Sequence, residues 1–249
     1  MRAPFFVTLK KTKFLPMSDV QERLDLLTSF CGYGNPETAK VFFIGIEEHD
    51  TLNCHGDAFL EFEKKIKRGR ASDGSQWAYA ASFGKAIGST ERTQCEVYKS
   101  LFGNATDEHI FQNEIHCFNF YPLGANSLKQ YPSHYNNCFG FETKSDLYEY
   151  FDNRSRRKQV LKSFIDELII KKEKLLFVFG RRCCDEVEKH LLPELHFEKT
   201  FHDWCTKTKR KPSEIKWSDN KLVWLTGHPS YGWINSEVIQ KIACIIKVT

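Results

Sequence analysis

Four short apolar runs, three of them stopped by glycine or proline, constrain this chain more tightly than any other feature of it. AKVFFIGI ends near Ile46, and EIHCFNFYPLG carries a run over residues 114–120 that Pro122 stops. EKLLFVFGRR gives a third run over 174–179, stopped by Gly180, and NKLVWLTGHPS a fourth over 221–226, stopped by Gly227 and Pro229. The runs are rich in aromatic and β-branched residues and close to continuous, the pattern of strands buried on both faces.

Helical spacing fills much of the intervals between the runs. In SDVQERLDLLTSF, Val20, Leu24 and Leu27 share one face, and Ser18 with Gln21 matches a capping box. GYGNPE at 32–37 reads as a turn. DGSQWAYAASFGKAIG and TERTQCEVYKSLFG read as two helices ahead of the second run. RRKQVLKSFIDELIIKK presents Val160, Leu161, Phe164, Ile165, Leu168 and Ile169 as one broad apolar face. Cys183, Cys184, Val187 and Leu191 do the same in RRCCDEVEKHLL, as do Val238, Ile239, Ile242, Ala243 and Ile246 in the last helix. Strand alternating with helix predicts a single α/β domain over 1–249, with a central four-stranded parallel sheet flanked by helices. The polar, aromatic interval 123–153 reads as an ordered insertion or binding loop.

With 249 residues, 41% of them hydrophobic, the chain has enough apolar mass for a sizeable core, so wholesale disorder is not expected. Thirty-six basic against 32 acidic residues leave +4, which is compatible with a polyanionic partner without selecting one. No stretch reaches the roughly 20 apolar residues of a membrane span, and MRAPFFVTLKKTKF lacks the apolar length of a secretory signal. Nine irregularly spaced cysteines read as reduced thiols of a cytoplasmic or nuclear protein. No metal and no cofactor is expected. There is no CxxC pair, His49, Cys54 and His55 lack ligand spacing, and the glycines match neither phosphate-binding fingerprint.

Ligands of open parallel sheets bind beyond the carboxyl ends of the strands. Those ends carry Glu47, Glu48, His49 and Asp50 after the first run, and Asn119 and Tyr121 at the second. Arg181 and Arg182 follow the third, and His228, Ser230 and Tyr231 the fourth.

In this order, IGIEEHD (44–50), FNFYP (118–122), FVFGRRCCDEVEKHL (177–191) and LTGHPS (225–230) resemble the uracil-DNA glycosylase superfamily, as a divergent member. The resemblance spans residues 40–246, and HPS is its sharpest motif. It implies a four-stranded parallel sheet binding DNA across the strand ends, and hydrolysis of the N-glycosidic bond of uracil or another altered base. Glu47 would hold the water-activating position. Many members have proline after that residue and this chain has Glu48, which stands in reserve for the role. The cysteine quartet of the iron–sulfur members is not reproduced.

The same resemblance gives Asn119 the recognition of the base edge and His228 a hydrogen bond to the departing base. Ser230 would contact a flanking phosphate, and Tyr231 and Trp233 would probe the duplex as wedges. Phe59, Phe62 and Phe83 are candidates for stacking on an extruded base, with core packing the plainer role. The basic runs KKIKRGR (64–70), RSRRK (154–158) and KTKRK (207–211) offer backbone contacts. A Ser–His–acid hydrolase built from Ser230, His228 and Glu47 lacks the G-x-S-x-G elbow. The principal alternative is a non-catalytic nucleic-acid binding protein with a glycosylase-like fold.

Overall fold

The computed structural model describes residues 17–47, 89–123, 134–194, 199–202, 214–218, 222–225, 234 and 236–248. The apolar runs form β1 (Val41–Glu47), β2 (Ile115–Tyr121), β3 (Leu175–Phe179) and β6 (Leu222–Leu225). They are neighbours in the order β2-β1-β3-β6, with parallel pairing at each junction. Two further strands, β4 (Lys199–His202) and β5 (Glu214–Ser218), extend the sheet antiparallel beyond β6. The expected four-stranded sheet is therefore a six-stranded mixed one. KTFH and EIKWS are short and charged, so nothing in their composition separates them from loop.

Eight helices lie among the described residues: α1 (Met17–Ser29), α2 (Ser89–Phe102), α3 (Asp107–His109), α4 (His134–Phe139), α5 (Lys144–Glu149), α6 (Arg157–Ile165), α7 (Arg181–His190) and α8 (Ser236–Val248). Helices α3, α5 and α6 run on into wider π turns, Ile110–Glu114, Tyr150–Arg154 and Asp166–Ile170. The result is an α/β domain with a parallel sheet flanked by helices. On one face Phe42, Ile44, Phe118, Phe120, Leu176 and Val178 pack against residues of α1, α6 and α7. On the other Val41, Phe43, Ile115, Phe177, Phe179 and Val223 meet α2 and α8. Phe43 stacks on both Phe177 and Phe179, at 5.4 Å each. Alternate residues of each run thus enter different cores, which is why the runs are continuous in apolarity.

Several local expectations change. Helix α1 begins at Met17, so Ser18 lies inside its first turn, and the Gln21 amide donates to Asp25 (2.8 Å) instead of reaching back. Residues 134–153, within the interval read as a loop insertion, are largely helical, and Tyr135, Phe139, Phe141, Leu147 and Phe151 are buried. Thr143 and Asp146 make a reciprocal capping box at the head of α5. In α6 the buried stripe is one residue per turn, Arg157, Leu161, Ile165 and Ile169, while Val160, Phe164 and Leu168 are half-buried. The turn 32–34 needs both its glycines. Gly32 and Gly34 have φ of +107° and +92°, and a Cβ on either would lie 2.2–2.3 Å from the carbonyl oxygen of Cys117 or Ile115. That closeness lets Tyr33 pair with Cys117 along the outer edge of β2.

Candidate functional site

The carboxyl ends of β1 and β2 are in register, with Gly45 opposite Asn119 and Glu47 opposite Tyr121. Glu47 is the last residue of β1. Asn119 is half-buried, and its side-chain oxygen lies 2.7 Å from the point a Cβ on Gly45 would occupy. Among the described residues no hydrogen bond reaches that carboxamide; the bond at this residue goes to its backbone oxygen, from Arg157 Nη2 at 2.6 Å. A carboxamide in this state still offers two donors and an acceptor to a ligand.

Arg157 is the most unusual residue of the region. Only 1% exposed, it donates from Nε to Phe120 O (3.1 Å), from Nη2 to Asn119 O, and from Nη1 to Thr28 O (3.2 Å) and Phe30 O. Thr28 lies in the last turn of α1, where carbonyls lack helical partners and the helix dipole is negative. Four carbonyls, two at the end of α1 and two on β2, are therefore what offsets the cost of burying this charge. The basic run 154–158 is accordingly only in part a solvated one. Arg157 is interior, Lys158 pairs with Asp152 (3.1 Å), and exposed Arg154 meets Glu149 (3.7 Å).

Next along β2, buried Tyr121 directs its hydroxyl to both Asp152 oxygens, each at 3.1 Å. Burial, reinforced by the Asp152 charge, pushes the phenol well above its ordinary range, so it remains a neutral donor. Its ring lies 4.5 Å from that of Tyr148, and the Arg182 guanidinium sits 4.3 Å over Tyr148 and donates to its hydroxyl at 3.1 Å. Lys158 also approaches His190 (3.5 Å), which faces Glu186 at 3.4 Å. Burial and then the Lys158 charge lower the His190 imidazole below its usual value.

Past Gly180 the chain enters α7, whose first turn carries exposed Arg181 and Arg182 and then the adjacent cysteines. Cys183 Sγ lies 3.7 Å from Ile44 O, while Cys184 Sγ lies 3.7 Å from Val178 O and 3.9 Å from Leu225 O. These are packing thiols under the sheet. Burial raises Cys183 well above an ordinary thiol, the opposite of what a nucleophile or metal ligand requires. Among the described residues no group of three or more His, Cys, Asp or Glu is placed to hold a metal, and none of the seven described cysteines is in a disulfide. No described helix is long and apolar enough to cross a membrane.

Of the residues singled out in the sequence, the structure thus aligns Asn119 with the end of β1 and the backbone of Glu47 with Tyr121. Leu225, the last residue of β6, accepts from Gly180 N at 2.7 Å, so that strand ends at the same edge. Glu48, His49, Asp50, Cys54, His55, Phe59, Phe62, Phe83, His228, Ser230, Tyr231 and Trp233 lie outside the described residues, as do the basic runs 64–70 and 207–211. Sequence reasoning missed Arg157, Asp152 and Tyr148. The density of aromatics in LYEYF (147–151) was the one available signal, and it marks packing as readily as a site. A scan against protein-family models and a search of curated proteins return no match to this chain.

Proposed function

We propose that this chain is a monofunctional DNA glycosylase with a uracil-DNA glycosylase-like fold, hydrolysing the N-glycosidic bond of uracil or another altered base flipped out of DNA. The observation that carries the reading is the half-buried Asn119 carboxamide, unengaged among the described residues, beside side-chain-free Gly45 at the carboxyl edge of the parallel strands. A group of that kind pairs with the donor–acceptor edge of a pyrimidine, and a base reaches it only after leaving the stack. Glu47, two residues beyond Gly45, holds or deprotonates the attacking water and balances positive charge on the sugar, with Glu48 in reserve. His228 donates to the oxygen of the departing base, an interaction that gains most when fixed in advance and shielded from water. Ser230 binds a flanking phosphate, Tyr231 and Trp233 fill the vacated stack, and no metal or cofactor takes part.

The test is a panel of labelled duplex and single-stranded oligonucleotides, each with one altered base, heated in alkali after incubation. Alkali-labile sites at one or a few of the altered bases are expected. DNA binding with no base released from any member would hand the chain to the alternative, a non-catalytic nucleic-acid binding protein on the same fold.

A further inference from the structure

Three consecutive residues at the end of β2 are each held by a side chain from the short stretch 152–158. Arg157 takes the carbonyls of Asn119 and Phe120, and Asp152 takes the hydroxyl of Tyr121. We infer that Arg157, with Asp152 beside it, is a positioning pair that fixes the Asn119 carboxamide for base selection; the inference rests on the glycosylase reading.

β2 is an edge strand of the sheet, with β1 on one side of it. On the open side Tyr33 exchanges two backbone hydrogen bonds with Cys117, at 2.8 and 2.9 Å. Two residues further on, the Asn119 carbonyl is taken by the guanidinium. Its fork is planar and rigid, so carbonyls bound to different nitrogens are fixed relative to one another. The same group reaches Thr28 and Phe30, and thus ties the strand end to the end of α1 instead of leaving it to fray. Packing alone does not call for an arginine here, because an apolar side chain fills volume without the cost of burying a charge. Lysine would keep the charge but has one nitrogen on a flexible stem, which cannot hold carbonyls spread over a strand and a helix end. The Asp152–Tyr121 contact limits the same segment from its other end, and Lys158 holds Asp152 in place.

The experiment compares wild type, Arg157→Lys and Tyr121→Phe. Folding is read by circular dichroism, and kcat and KM by base release from the best member of the panel. The Asn119 side-chain amide is followed by its nitrogen–proton NMR cross-peaks, identified by their loss in Asn119→Asp. Arg157→Lys is expected to remain folded and to lose about 10- to 100-fold in kcat, the scale of a slightly misplaced group, with KM within about twofold. Its Asn119 peaks should shift or broaden and its discrimination among bases should fall. Tyr121→Phe should move kcat and peaks in the same direction by less than about tenfold. A folded Arg157→Lys with wild-type kcat and unmoved Asn119 peaks overturns the inference. Should Arg157→Lys not fold, Tyr121→Phe with wild-type kcat and unmoved peaks overturns it instead. If wild type releases no base at all, the glycosylase reading fails by itself, and the Asn119 peaks alone decide whether the pair positions that amide.

Discussion

At Gly45 the missing side chain is what makes room for the Asn119 carboxamide, whose oxygen would be 2.7 Å from an added Cβ. The obstructed atom is the far end of a rotatable side chain, so Gly45→Ala is relieved by moving that amide and not by moving backbone. Stability should change by less than about 1 kcal/mol, since alanine also restricts the unfolded chain. Under the proposed reading, discrimination between the preferred base and its competitors should fall, because the reading edge is displaced. A thermal melt paired with the ratio of release rates tests this; an unchanged ratio would show that Asn119 does not choose the base. Asn119 itself could be singled out from sequence, as an amide just ahead of FYP at the end of an apolar run. Arg157 could not. Charge in RSRRK signals solvent, and a guanidinium shared among four carbonyls of a helix end and a strand end has no one-dimensional signature.

Between elements, the turn after α1 is fastened to β2 by His116, whose ring is fully buried against Phe42 and Phe164. Its Nδ1 lies 2.9 Å from Gly34 O and its Nε2 2.6 Å from Cys31 O. A neutral imidazole has one N–H for these two acceptors, yet burial, helped by the Lys174 charge, brings the group down to about 4 against the upward pull of both carbonyls. Below its ordinary value near 6.5 the unfolded chain takes up a proton that the native ring refuses until about pH 4. Stability therefore falls as pH drops through that window, by up to about 3 kcal/mol from this residue, and its contribution flattens below it. Urea unfolding at pH 7 and pH 4.5 should show a larger loss for wild type than for His116→Gln; equal losses would count against the assignment. The elements that sequence made legible, β1, β2, β3, β6, α1, α2, α6, α7 and α8, are those whose apolar residues face a core directly. β4 and β5 escaped because such short strands, of four and five residues, carry charged side chains among their apolar ones, and the π turns because widening a helical turn leaves no compositional mark.

Across the whole molecule, the length of the parallel strands sets the described Lys40 and Lys174 apart from the edge that the proposed reading assigns to chemistry. Lys40 precedes β1 and pairs with Glu114 at 2.9 Å, and Lys174 precedes β3 and donates to the carbonyls of Pro36 (3.0 Å) and Glu37 (2.8 Å). Both stand at the amino end of the sheet, opposite Glu47 and Asn119. Lys158, beside Tyr121 at the carboxyl end, is held in an ion pair with Asp152 at 3.1 Å. A glycosylase that also cuts the backbone forms a Schiff base through a desolvated or otherwise activated amine; burial lowers the pKa of Lys174, but at the far end of the strands, and Lys40 and Lys158 are each tied up in an ion pair. Borohydride added during turnover should therefore trap no covalent DNA adduct, and the product should be an intact abasic strand. Under the proposed reading the Glu47 carboxylate then has to do the work on water. Glu47→Gln removes charge and base function at nearly constant volume, so base release should fall by about 10²- to 10⁴-fold, the usual worth of a positioned general base, while DNA affinity holds within about twofold. Glu48→Gln should keep most of the activity. The reverse pattern, with Glu48→Gln inactive and Glu47→Gln active, would move the water to the next residue along. A trapped adduct in wild type would instead replace the water-based mechanism with an amine-based one.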